Sequence, residues 1–140
     1  TPAILEAWRK LQCEPDVLVL DGQGTAHPRR FGIACHVGLL LERPTVGCAK
    51  SVLVGQFDEP NSVRGAWSPM VHRGETVGAA LRTKNNVSPV YVSPGHEIDL
   101  ESSIALALRC DGGYRVPEPT RRAHLLVNEV RRAHGEQLPA

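Results

Sequence analysis

The sequence predicts a single mixed α/β domain, and three observations carry that expectation. Two short apolar runs, residues 17–20 and 45–49, bracket a stretch with helical spacing, the pattern of two parallel strands joined by a helix. Residues 66–82 read as a hairpin. Amphipathic helical periodicity fills both ends of the chain. With 140 residues, 41% hydrophobic and 22% charged, the chain is long enough to bury one core and has none of the bias of a disordered tail.

Near the N-terminus, residues 3–12 place Ile4, Leu5, Trp8 and Leu11 on one helical face. Val17 to Leu20 is a continuous apolar run closed by Asp21-Gly22, which suits a strand buried on both faces. Phe31 to Glu42 reads as a helix that Pro44 helps to end. Thr45 to Ala49 is the second strand of the unit. Asp21 and Lys50 each directly follow a strand, so both are expected at the carboxyl edge of the sheet, where open parallel sheets bind ligands. Residues 66–71 and 76–82 flank His72-Arg73-Gly74-Glu75, a turn containing glycine. Val90 to Val92 is a further strand, ended by Ser93-Pro94-Gly95-His96. Leu100 to Arg109 has helical spacing with Asp99 as its N-cap, and Pro117-Glu118-Pro119-Thr120 leads into a last helix that runs to Ala133.

Composition excludes several classes of function. No run of about 18 apolar residues is present to span a bilayer, and the first residues lack the basic-then-apolar layout of a signal peptide, so no membrane partner and a cytoplasmic setting are expected. Cys13, Cys35, Cys48 and Cys110 form no C-x-x-C pair and read as reduced thiols, buried where they lie in apolar runs. A net charge of +1 gives no global mark of a nucleic-acid binder, although Arg29-Arg30, Arg121-Arg122 and Arg131-Arg132 are local basic pairs that can meet phosphates or simply be solvated. Gly22 and Gly24 do not have the spacing of a P-loop or a dinucleotide fingerprint.

Asp21 is the candidate for chemistry. A carboxylate at a strand exit is a hard oxygen ligand of the kind that holds magnesium in nucleases, and the same Asp-Gly pair is also an ordinary turn. Lys50 can be an ion-pair partner of that acid or a cation that meets a phosphate. His27, before a proline, fits a surface loop.

Asp21-Gly22-Gln23-Gly24, His27-Pro28-Arg29, Phe31-Gly32-Ile33-Ala34, His36-Val37-Gly38 and Pro44-Thr45-Val46-Gly47-Cys48-Ala49-Lys50-Ser51 together resemble the central signature of endonuclease V. Gly78-Ala79-Ala80-Leu81-Arg82, Tyr91-Val92-Ser93-Pro94-Gly95-His96 and Pro117-Glu118-Pro119-Thr120-Arg121 extend the resemblance, in order, over nearly the whole chain. It implies an RNase H-like fold, a mixed sheet flanked by helices. It also implies a DNA repair endonuclease that uses magnesium, or manganese, to nick a strand at the second phosphodiester 3′ to deoxyinosine; some relatives prefer inosine in RNA. Carried over by position, Asp21 is the metal aspartate, Lys50 the active-site lysine, and His124 the late Asp-or-His position after Pro-Glu-Pro. Gly22, Gly24 and His27 line the pocket for the extruded hypoxanthine. In that scheme Lys50 stabilises charge on the phosphate and His124 positions water or takes its proton. By residue type alone His124 is a helix-surface histidine.

The sequence departs from the family pattern at its beginning. A further metal aspartate, a glutamate before the first helix and the aromatic wedge all fall upstream of residue 1, and neither Glu6 nor Glu14 matches the missing glutamate. Residues 1–140 are therefore expected to be the C-terminal part of an endonuclease V-like nuclease: an RNase H-like domain incomplete at its N-terminus, inactive by itself and prone to self-association through the exposed edge of the strand at Val17 to Leu20. Folding of the 66–82 hairpin over that edge would remove the exposure. The alternative function is a non-catalytic inosine or nucleic-acid binding module.

Overall fold

The structure, a computed structural model, describes residues 2–133. Its elements in chain order are α1 (Pro2–Arg9), β1 (Leu18–Leu20), α2 (Ile33–Leu41), β2 (Thr45–Ala49), β3 (Trp67–His72), β4 (Glu75–Leu81), β5 (Val90–His96), α3 (Leu100–Arg109) and α4 (Glu118–Ala133). The strands form one mixed sheet in the order β1-β2-β5-β4-β3. β1 and β2 are parallel, as a strand–helix–strand unit requires, and every other neighbouring pair is antiparallel. Helices flank the sheet, the mixed α/β arrangement that the sequence predicts.

Side-chain alternation along the strands builds two layers of core. Val46 and Cys48 of β2, Ala79 and Leu81 of β4, and Val90 and Val92 of β5 pack with Ile104 and Ala107 of α3. Leu20 of β1 packs instead with Ala34 and Val37 of α2, joined by Ile4 of α1. Each fully buried Val or Leu in these layers contributes about 1.5–3 kcal/mol. α3 is capped by Asp99, whose side chain accepts a hydrogen bond from Ser102 N, and α2 ends at Glu42, held in the left-handed region at φ 55°.

Four expectations need correction. The first helix stops at Arg9, because Lys10 N and Leu11 N donate to Ala7 O and Trp8 O in a tightening last turn, which leaves Leu11 exposed. The second helix begins at Ile33, so Phe31 lies outside it and exposed. β1 is an edge strand and only Leu20 in it is buried, so it is not covered on both faces. β5 does not end at Val92 but continues through Ser93-Pro94-Gly95 to His96, with a register shift opposite Thr45/Val46 that absorbs the extra residue. The Pro94 carbonyl turns away from the ladder and accepts from Thr25 N. Among the described residues no helix is long and apolar enough to cross a membrane.

Candidate functional site

The parallel register of β1 and β2 sets the site. Leu20 stands opposite Gly47, so Asp21 emerges beside Cys48, and Lys50 follows one alternation further along β2. Val46 and Cys48 face α3, which places Lys50 at the next position on that side. Asp21 lies close enough to Cys48 to act on its thiol: burial first, then the Asp21 carboxylate, pushes that thiol up to about 12, against the opposing charge of Arg115. Asp21 and Lys50 are both exposed, and neither enters an ion pair among the described residues. Lys50 is thus not tied up as the structural partner of Asp21.

Arg115 braces this end of the sheet. Its Nε donates to Ser88 O at 2.9 Å, and its Nη2 donates to Pro89 O at 2.7 Å and to Lys50 O at 2.9 Å. The Thr83 hydroxyl donates to the Arg115 carbonyl. One guanidinium therefore ties the loop between α3 and α4 to the start of β5 and to the backbone of Lys50. α4 packs against β1, bringing the helix of His124 beside the strand that delivers Asp21. The His124 imidazole is exposed, with its Nε2 3.2 Å from Asn128 Nδ2.

From Asp21 the chain runs as a strap across the α2 side of the sheet, over β2, β5 and β4. Gln23 Nε2 donates to Ser51 O at 3.0 Å, while its Oε1 is shut away from solvent without a hydrogen-bond partner among the described residues. Gly24 N donates to Ser93 Oγ at 2.8 Å, and Thr25 Oγ1 donates to Val77 O at 2.8 Å. Gly24 must be glycine for packing: a Cβ there would lie 2.1 Å from Pro94 O. A Cβ on Gly22, which has φ 158°, would lie 2.8 Å from Ile33 Cγ2, a methyl held on the stiff, branched Cβ of that side chain. Ala26 is buried with Met70 and Val77, and His27 is half-buried, its Nδ1 accepting from Arg29 N at 3.1 Å.

Among the described residues no three His, Cys, Asp or Glu side chains cluster closely enough to hold a metal ion. Asp21 carries a carboxylate, a hard oxygen donor of the type that divalent metals take, but it stands without two further such side chains among the described residues.

The sequence reading missed Arg115 and Arg30. Arg115 carried no signal beyond its place in a glycine-rich loop. Arg30 stood in a basic pair that reads as solvated surface, yet it holds the far end of the strap.

The family model of Endonuclease V matches residues 1–125. The chain belongs to the endonuclease V family. It is 56% identical over 135 residues to Endonuclease V of Myxococcus xanthus, a match that covers 96% of this chain and 57% of that relative. The crystal structure of Endonuclease V from Bacillus subtilis superposes with a TM-score of 0.92 at 36% identity, covering 98% of this chain and 60% of that one. Endonuclease V of Ciona intestinalis, in complex with a 24mer DNA containing an inosine followed by a ribo-adenosine, superposes at 0.73 with 29% identity, covering 94% and 61%. The chain thus spans less than two thirds of the length of these endonuclease V relatives.

Proposed function

We propose that the chain carries part of the active site of an endonuclease V that recognises deoxyinosine in DNA and nicks the strand at the second phosphodiester 3′ to it. The observation that supports this most directly is the placing of Asp21 and Lys50 at the exits of two adjacent parallel strands, unpaired with one another, in a chain of this family. Family membership brings the expectation of a divalent metal, with magnesium or manganese as candidates. Asp21 would be one of its ligands, and such a metal polarises a phosphodiester when bound.

The remaining work falls to this chain's own groups. Lys50 holds a fixed positive charge where a non-bridging phosphate oxygen gains negative charge, and the Arg115 brace fixes its backbone. His124 would accept or relay a proton. Gly22 and His27, on the strap, face the base once it leaves the stack, and Gly24, buried with its N–H on Ser93 Oγ, holds the strap where it crosses β5. Inosine in RNA is the second substrate to test. A non-catalytic inosine-binding module would keep the strap function and dispense with Asp21.

Asp21→Ala in a chain extended to the full length of the relatives tests the reading. Nicking of a deoxyinosine duplex is expected to fall by at least about 100-fold, with lesion binding largely retained. Cleavage at the wild-type rate would remove Asp21 from the metal site.

A further inference from the structure

The far end of the strap is fastened by one side chain. Arg30 has φ 58°, in the left-handed region where non-glycine residues are strained. Its guanidinium offsets that strain with four contacts. Nη1 donates to His27 O at 2.9 Å and meets His72 Nδ1 at 3.0 Å, Nη2 donates to His72 O at 3.0 Å, and Nε donates to Glu75 Oε2 at 3.2 Å. The backbone N of Arg30 donates to the same His27 carbonyl at 2.9 Å. The side chain is only 24% exposed, in contrast to the freely solvated arginine that its sequence suggests. It joins the strap to the β3–β4 turn and immobilises His27 through its carbonyl.

We propose that Arg30 is a positioning residue for base recognition, a latch that sets the strap at the pose in which Gly22 and His27 meet the extruded base. This rests on the base-reading role given to the strap under the proposed function. A guanidinium only donates, so at this contact His72 Nδ1 is the acceptor.

The test measures binding of this chain to a deoxyinosine-containing oligonucleotide and to its undamaged counterpart by fluorescence anisotropy, together with hydrogen exchange of the strap amides. Arg30→Ala is expected to cut the preference for the inosine strand by about tenfold and to speed exchange at residues 25–32, with Arg30→Lys restoring part of both. Faster exchange with an unchanged preference would overturn the assignment, as would unchanged exchange in both Arg30 variants. A wild-type chain that binds the two strands equally would instead overturn the hypoxanthine reading of the strap, and with it the role of the latch in base recognition, whatever the exchange data show.

Discussion

Asp111 shows how one side chain sets a dependence on pH. Burial pushes its carboxyl up, but the Arg64 hydrogen bond, the Gly113 amide and the charges of Arg64 and Lys84 outweigh that and leave it below the ordinary carboxylate value. Arg64 Nε donates to Oδ2 at 2.7 Å and Gly113 N to Oδ1 at 2.8 Å. A carboxyl depressed in the folded state adds stability that is complete above its unfolded value, about pH 4, and is lost as the pH falls through its folded value. Asp111→Asn is expected to cost about 1 kcal/mol at neutral pH and almost nothing near pH 2, read from urea midpoints at the two conditions. An equal deficit at both would mean that packing, not charge, is what Asp111 contributes. At this scale the sequence was unevenly legible. Asp21 and Lys50 announced themselves by standing directly after apolar runs. Arg30 did not, because its role depends on a left-handed backbone and on a hairpin more than 40 residues away.

Among the elements, α2 and β5 approach so closely that glycine is required between them. A Cβ on Gly38 would lie 2.3 Å from His96 Cβ and 2.6 Å from Thr45 Oγ1, and the Thr45 hydroxyl is already committed to Ala34 O at 2.5 Å. Gly38→Ala gains about 1 kcal/mol of helix propensity, whereas overpacking a rigid contact costs about 1–3 kcal/mol and has backbone-tethered groups to push against. The net expectation is a loss of up to about 2 kcal/mol in chemical denaturation; a more stable variant would show that α2 slides freely on β5. The period of the apolar residues made most elements legible, including the parallel pair β1–β2 and the Asp99 cap. What it could not show is the length of β5. Pro94 reads as a strand stop, yet its carbonyl serves the strap and the register shift beside it lets the pairing resume at His96.

For the whole molecule, β1 and β3 are the two edges of the sheet, so the 66–82 hairpin sits at the far side and does not fold over β1. α4 packs against β1 and buries Thr120 but leaves Leu125, Leu126, Val127 and Val130 exposed. An unpaired strand edge next to an exposed apolar helix is an invitation to pairing, and a second copy offers both the strand and the matching helix. This 140-residue chain is therefore expected to self-associate at micromolar concentration, read by light scattering. Leu126, 60% exposed, can be charged at little cost to the fold, so Leu126→Glu should shift the population toward monomer without lowering the unfolding midpoint. A wild-type chain that stays monomeric throughout would show that the β1 edge and α4 do not drive association.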